Sequence, residues 1–463
     1  MNDFYEILYV GIDIGKARHV AGFVSDALFS RYRRFERCPV LSFEQSRAGF
    51  ERLLAAIETY GPLDRCAVVM EHTGHYHRLV EQYLLEHNIA LYEIHAQKRE
   101  HRDKTDKRDA LSLANHLYNQ LAKGVQFSET IKLARRVLPP TETATYLRSL
   151  VKHREVLSRE ITQRKNNLIA ICDEVFPELT HIIKDTNGAT ALNIREKFPT
   201  AASIAAASLD ELRTCRINYR PTDRQFEELH DLATQSIGTR DPGRIKSLTM
   251  QQKHLIKELR LLQQHTEEID GEITTALKNS REGQILDSLP IFGPVQSATL
   301  IASIGNIHNF SRQSELKSYC GWSPTTVQTG TSVDQVKLTK GGNPVLKRMI
   351  YLVTMSAIKL DTEWRDLYNR LVPIKCNYDT RTKAFRGRMK VVGRVAGQII
   401  SLVYTLLKKD ADILASLAEG EEPPPPMLYD RALHHAHRHG SYRRADSVPL
   451  GSPIALTEFL HNE

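Results

Sequence analysis

Four carboxylates stand where metal chemistry could use them. Asp13 interrupts the apolar run Tyr9-Val-Gly-Ile-Asp-Ile-Gly15, and Glu71 follows the apolar run Cys66-Ala-Val-Val-Met70. Runs so apolar read as buried strands, and an ionised carboxylate in one is costly unless a cation or a charge partner compensates. Open α/β sheets place their ligands at the carboxyl ends of such strands. In His101-Arg-Asp-Lys-Thr-Asp-Lys-Arg-Asp109, Asp106 and Asp109 stand three residues apart where the helical pattern Ala110 to Leu121 begins, a spacing that shares one helix face. Two strand ends and one helix start can together hold two divalent cations, the arrangement that clamps the attacking and leaving oxygens of a phosphodiester displacement. All-oxygen ligands select Mg2+ or Mn2+ over zinc. Taken singly, an acid near a helix start also reads as a cap or a partner of the macrodipole; the set of four favours a metal site.

Cations surround the helix start. Lys98, Arg99, Arg102, Lys104, Lys107 and Arg108 crowd the segment that holds Asp106 and Asp109. Metal-binding acids ringed by cations suit a polyanionic substrate, whereas the plain alternative is a solvated charged surface. His72, His75 and His77 beside Glu71 lack the paired strong ligands of a closed zinc site and read as supporting or surface residues.

The motifs Gly11-Ile-Asp-Ile-Gly-Lys16, Val68-Val-Met-Glu-His-Thr-Gly74 and Lys104-Thr-Asp-Lys-Arg-Asp-Ala110 resemble those of the DEDD-type insertion-sequence transposases, with Asp13, Glu71, Asp106 and Asp109 in the positions of the four acids. The resemblance implies an α/β ribonuclease-H-like (RuvC-like) amino-terminal domain over 1–135, with Asp13 on its first strand and Val20 to Val24 and Tyr32 to Phe35 as the next two strands. It also implies action on DNA, and guidance by a structured RNA encoded in the element.

Composition sets the frame. Over 463 residues, Lys and Arg number 63 against 55 Asp and Glu, a net charge of +8 that permits nucleic-acid binding without demanding it. Six cysteines without a CxxC pair, and no secretory leader ahead of Asn2-Asp3, point to a reducing compartment and no structural zinc; the resemblance to transposases implies a cytoplasmic protein associated with a bacterial or archaeal nucleoid. Val391 to Leu407 is broken by Arg394 and Gln398, so no membrane span is expected.

Past the first domain, apolar residues recur near heptad spacing at Leu147, Leu150, Leu157, Ile161, Leu168, Ile171 and Val175. They recur again at Leu248, Leu255, Leu259, Leu262, Ile269, Ile273 and Leu277. The pattern predicts a helical coiled-coil arm over 141–280 with a helical insert, and a homo-oligomer, dimer or higher, formed through its seam; an ordinary helical bundle is the alternative. A mainly α carboxyl-terminal domain is expected over 285–408. It opens on Ile285 to Val295, a stretch resembling a helix-hairpin-helix element in which Ile291 stands where glycine is usual. Tyr319-Cys-Gly-Trp-Ser-Pro324, a hydroxyl-rich loop Thr325 to Thr339, Lys340-Gly-Gly-Asn-Pro344 and a helix with Lys347 and Arg348 follow. This run again resembles the same transposases, whose second domain supplies a nucleophilic serine from that loop. Ser332 is the preferred nucleophile; Thr329, before Gly330, is the rival. Lys340, Lys347 and Arg348 join the candidate nucleic-acid contacts. Residues 409–463, with Gly420-Glu-Glu-Pro-Pro-Pro-Pro426 and His434-His-Ala-His-Arg-His439, read as a disordered tail.

Three other functions compete with a transposase: a RuvC-like nuclease that resolves branched DNA with the acids alone, a sugar-kinase or actin-like ATPase built on Asp13-Ile-Gly15, and a non-catalytic nucleic-acid-binding protein. The ATPase lacks a second phosphate loop where one is expected, and simple binding does not require four placed acids.

Overall fold

The computed structural model describes residues 6–71, 75–94, 105–124, 134–217, 221–329, 333–338, 341–360 and 362–436, which divide into two compact units. The first comprises 1–141 and the short segment 306–311; the second comprises the rest.

The first unit is a mixed sheet with helices. Its elements are β1 (Leu8–Asp13), β2 (Arg18–Val24), α1 (Asp26–Tyr32), β3 (Val40–Glu44), α2 (Arg47–Glu58), β4 (Cys66–Glu71), α3 (His77–Glu86), β5 (Ala90–Ile94), α4 (Asp106–Leu121) and β6 (Arg135–Val137). The strand order is β3-β2-β1-β4-β5-β6. The pairs β1/β2 and β2/β3 are antiparallel, β4 runs parallel to both β1 and β5, and β6 closes the edge antiparallel. The continuous apolar character of β1 and β4 follows from their central position, where both faces are covered. Leu53, Leu54 and Ile57 of α2, Leu84 of α3 and Leu113 and Leu117 of α4 fill the core around Val10, Ile12, Val68 and Met70.

The third strand is not Tyr32 to Phe35. Ser25 accepts a hydrogen bond from the Leu28 amide and starts α1, which carries the chain through Tyr32 before Arg33 turns it in a left-handed conformation (φ 60°). The strand is Val40–Glu44, paired with β2 from Gly22↔Val40 to Arg18↔Glu44. A local cap decided the matter, since a serine ahead of an acid starts a helix more readily than Tyr-Arg-Arg-Phe sustains a strand.

The second unit is mainly helical. It contains α5 (Glu142–Val175), α6 (Leu179–Ile182), α7 (Ala189–Lys197), α8 (Ala201–Ala205), α9 (Leu209–Arg213), α10 (Asp223–Thr234), α11 (Pro242–Lys278), α12 (Arg281–Asp287), α13 (Pro294–Ile304) and α14 (Gln313–Tyr319). The hairpin β7 (Pro324–Thr329) and β8 (Val333–Leu338) comes next, then α15 (Pro344–Lys359), α16 (Glu363–Lys375), the small ribbon β9 (Asn377–Asp379) and β10 (Ala384–Arg386), α17 (Met389–Ser416) and α18 (Arg431–Ala436). The two long helices α5 and α11 lie antiparallel: Arg154 pairs with Asp270, Arg164 with Glu258 at 2.9 Å, and Glu174 with Arg244, so the partner number falls as the α5 number rises. Pairs this exposed add little stability and serve mainly to fix register.

The apolar stripe is filled within the chain. Leu147, Leu157, Leu168, Ile171 and Val175 are buried, as are Leu248, Leu259, Ile269, Ile273 and Leu277. Leu150, Ile161, Leu255 and Leu262 are half-buried, so much of the seam expected to join copies of the chain is covered inside it. The insert between the long helices has its own core around Phe176, Ile194, Phe226 and Leu229. It is locked to the pair by a buried guanidinium: Arg195 donates to Gln252 Oε1 (2.9 and 3.1 Å), to the Thr186 carbonyl (3.0 Å) and to the Leu168 carbonyl (2.6 Å).

Two expectations for the carboxyl-terminal region need correction. By length and composition α17 could cross a membrane, because one arginine and one glutamine do not interrupt a 28-residue helix. Its apolar face, including Val395, Ile399, Leu402 and Leu406, is buried inside the unit. The disorder expected from 409 onward does not hold for 409–436. Arg281 forms a two-bonded ion pair with the buried Asp410 (2.7 and 3.0 Å) and donates to the Pro424 carbonyl at 2.7 Å. The Met427 amide donates to Asp410, the Tyr429 amide donates to Ser288 Oγ, Tyr429 stacks on Trp364, and His434 is buried against both rings. The polar groups of this segment find partners on the helices it crosses. Residues 437–463, with His437 and His439, lie outside the described residues.

Candidate active site

Asp13 and Glu71 leave neighbouring parallel strands side by side. Ile12 is the register partner of Met70, so the next residues, Asp13 and Glu71, are adjacent at the carboxyl edge of β1 and β4, both half-buried. The helix that brings the other two acids lies on the sheet face toward which Gly11 and Asp13 point, alternate residues of one strand sharing a face. Its placement is tight. A methyl group in place of the Gly11 hydrogen would sit 2.1 Å from the Ala110 carbonyl oxygen and 2.4 Å from the Ala114 nitrogen, and one on Gly22 would sit 2.8 Å from the Leu111 nitrogen. Further along, Tyr118 packs edge-on against Tyr9 with ring centres 5.4 Å apart. As α4 advances from Ala110 to Tyr118, β1 recedes from Gly11 to Tyr9, so the helix start points toward the Asp13 end.

Asp109 is buried, only 9 % exposed, one residue ahead of Ala110; Asp106 is exposed at the first helical position. Thr105 caps the helix, its Oγ1 accepting from the Arg108 amide at 3.4 Å and its carbonyl from the Asp109 amide at 3.0 Å. The structure thus brings Asp13, Glu71 and Asp109 to one edge of the sheet and leaves Asp106 at the rim. Among the described residues no group of three or more His, Cys, Asp or Glu is preassembled as a cation cage. The donor set itself, all carboxylate oxygen with partial burial, fits a hard divalent cation. Lys107 and Arg108 are exposed on the same turn; Lys98, Arg99, Arg102 and Lys104 lie outside the described residues, as does His72.

One pair of residues at this edge escaped the sequence reading. His19 is fully buried, accepts the Gly15 amide at Nδ1 (3.3 Å), and meets Gln45 Oε1 through Nε2. Gln45 in turn donates to the Tyr76 carbonyl at 3.2 Å. This relay joins the turn after Asp13 to the turn after Glu71. With Nδ1 accepting, the proton sits on Nε2, so the ring is neutral; burial pushes its pKa below the ordinary value, against the smaller upward pull of Gln45. The available signal was a lone histidine in an apolar strand, which must find partners when buried.

In the second unit the hydroxyl-rich segment is not a loop but the hairpin β7/β8, with Thr329 the register partner of Val333. Ser332, in the connection, lies outside the described residues, as does Lys340. The hairpin base is stapled by a glycine crossing. Gly321 (φ +74°) and Gly342 (φ +93°) approach so closely that a methyl on Gly342 would sit 2.5 Å from the Gly321 Cα. The Asn343 amide donates to the Tyr319 carbonyl (2.7 Å), Trp322 Nε1 donates to the Lys347 carbonyl (3.2 Å), and Asn343 Oδ1 caps α15 at Val345 and Leu346. This accounts for Gly-Trp and Gly-Gly-Asn-Pro as paired motifs and sets Lys347 and exposed Arg348 on the first turns of α15. At the hairpin between α12 and α13, Ile291 is buried and the Gly293 amide donates to Gln296 Oε1 (3.0 Å), so this element packs helices together.

Comparison with known proteins covers both the sheet unit and the segment of the stapled hairpin. Residues 10–177 match the DEDD-type IS110 family described as a transposase, and residues 283–369 match the family described as the transposase of IS116, IS110 and IS902. The chain belongs to the IS110 family of transposases. It is similar to the 43.6 kDa protein of insertion element IS110 from Streptomyces coelicolor, 24 % identical over 313 residues that make up 66 % of this chain and 71 % of that protein. The 44.8 kDa protein of insertion element IS116 from Streptomyces clavuligerus is 22 % identical over 379 residues, 80 % of this chain and 89 % of its own length. The protein is therefore a DNA transposase, and the IS110-family matches cover both the segment of the acids and the segment of the hairpin.

Proposed function

We propose that this transposase cuts and exchanges DNA strands with Asp13, Glu71, Asp106 and Asp109 holding Mg2+ or Mn2+ in a ribonuclease-H-like domain, and with a hydroxyl of the β7/β8 hairpin as nucleophile. The observation that supports the reading is the packing of α4 on Gly11 and Gly22, with the start of that helix toward the end of β1 where Asp13 and Glu71 emerge. The sheet order, three antiparallel strands joined through β1 to two parallel ones, supports the fold assignment. Divalent ions bound by these acids would neutralise the phosphoryl oxygens and stabilise the attacking and leaving oxygens. Asp106, at the exposed rim, completes the set when DNA and ions are present.

The chain's own chemistry is a transesterification. The hydroxyl oxygen of Ser332, or of Thr329, bonds to phosphorus while the deoxyribose oxygen leaves with the proton; the resulting ester keeps the bond energy, and an incoming strand hydroxyl reverses the step without ATP. Lys107, Arg108, Lys347 and Arg348, with Lys98, Arg99, Arg102, Lys104 and Lys340, hold the phosphate backbone. A structured RNA from the element guides the choice of strands, and the protein works inside the cell beside the DNA it mobilises.

A denaturing gel of labelled DNA with wild type, Ser332→Ala and Thr329→Ala tests this. A slow-migrating protein–DNA adduct is expected from wild type and from one of the two variants only. Active recombination without any adduct sinks the covalent step and leaves a RuvC-like nuclease that uses the acids alone.

A further inference from the structure

The ribbon between α16 and α17 is strongly basic. From Lys375 to Lys390 the chain reads Lys-Cys-Asn-Tyr-Asp-Thr-Arg-Thr-Lys-Ala-Phe-Arg-Gly-Arg-Met-Lys, and its cations Lys375, Arg381, Lys383, Arg386, Arg388 and Lys390 are all exposed. The one carboxylate in the stretch, Asp379, is used to build the turn. Its Oδ1 accepts from the Arg381 amide (2.9 Å) and the Thr382 amide (3.4 Å), and Oδ2 pairs with Arg386. Among the described residues Lys375, Arg381, Lys383 and Lys390 have no carboxylate partner. So many like charges on one small element repel one another unless a polyanion is present.

The shape narrows the choice of polyanion. β9 and β10 form a sheet of their own, separate from the other two sheets. The ribbon is braced by Tyr378 and Phe385, register partners whose rings meet edge-on at 5.1 Å, and by the buried Cys376 at its base. Tyr378 nevertheless stays 55 % exposed. Its tip carries Arg381 and Lys383, the latter in a left-handed conformation (φ 49°) that turns the chain back into β10. A free two-stranded ribbon of this kind fits the major groove of B-form DNA, whereas the deep, narrow major groove of an A-form RNA helix does not admit it.

We infer that residues 375–390 form a DNA-binding ribbon that enters the major groove and neutralises backbone phosphates with Arg381, Lys383 and Lys390. This rests on the family assignment only in that a transposase meets DNA; it does not depend on the metal site or on the nucleophile. The test is metal-free equilibrium binding of the full chain to a non-specific DNA duplex of about one ribbon footprint, followed from 50 to 200 mM salt. The triple variant Arg381→Ala/Lys383→Ala/Lys390→Ala should reduce the slope of log K against log salt by about 2.7, close to 0.9 for each phosphate contact removed. The control triple Lys246→Ala/Lys253→Ala/Lys257→Ala, at exposed positions of α11, removes the same charge and should leave the slope nearly unchanged. The tip variant Arg381→Glu, whose side chain has no partner to lose, should weaken binding without shifting the melting temperature. An unchanged slope in the ribbon variant, an equal change in both triples, or a loss seen on duplex RNA and not on DNA would each overturn the inference.

Discussion

Gly11 and Gly22 stand directly opposite each other across the β1/β2 ladder, and the single helix α4 rests on both. Two missing side chains on adjacent strands form a shallow seat, and the helix backbone settles into it. The seat sets how closely the start of α4, with Asp109 one residue ahead of Ala110, lies against the carboxyl-end half of β1.

Gly11→Ala should therefore impair strand transfer as severely as the loss of an acid. The added methyl would meet backbone atoms at 2.1 and 2.4 Å, which cannot swing aside as a side chain can. Overpacking of this kind costs typically about 1–3 kcal/mol. Gly61→Ala, where nothing lies within 4 Å, should be near neutral. Thermal melts and recombination assays of the two variants check this, and equal behaviour would contradict the seat.

Asp13→Asn and Asp109→Asn should each lower strand transfer by orders of magnitude with the fold intact, because a metal clamp loses a charged ligand. Mn2+ binding followed by electron paramagnetic resonance gives a readout independent of turnover. Wild-type Mn2+ affinity together with wild-type recombination would remove these acids from the site.

His19 predicts an acid-side loss of stability. Burial holds the folded imidazole below its ordinary value, so as pH falls through about 6.5 the unfolded chain takes up a proton that the folded chain does not. Stability then declines on acidification, from about pH 6.5 down to the lowered folded pKa, and is fully retained above that window. Melting temperatures at pH 7.5 and 5.5 should drop further for wild type than for His19→Gln. The variant should also bind Mn2+ less tightly if the relay to Gln45 and Tyr76 holds the two strand ends. Identical pH dependence would show that another group sets the acid limb.

The pair Arg281–Asp410 straps the segment after α17 to the second unit. Arg281→Ala leaves the carboxylate of Asp410 buried with fewer partners, at a cost of roughly 1–3 kcal/mol, and should open residues 417–436 to protease before the rest of the unit unfolds. Limited proteolysis read by mass spectrometry decides it. First cleavage elsewhere would show that the strap is held by Trp364, Tyr429 and His434 instead.

The sequence by itself determined the features that depend on neighbours a few residues apart. β1 and β4 were legible because central strands read as unbroken apolar runs, α4 because Ala110 to Leu121 carries an amphipathic pattern with acids at its start, and the carboxyl-edge positions of Asp13 and Glu71 because strand polarity is fixed by chain direction. The stripes on α5 and α11 were also visible. Periodicity gives a stripe but not its partner, and only the tertiary structure showed each filling the other's seam. The third strand was displaced by a cap at Ser25 that is itself local, whereas the tail after Ser416 was ordered by contacts with Arg281 and Trp364, more than fifty residues away in the chain. The glycine seat and the His19–Gln45 bond belong to the same class, since both depend on which distant residues the fold brings into contact. Residue type and spacing name the groups that can do chemistry; the distances between them come from long-range packing, which no local pattern encodes.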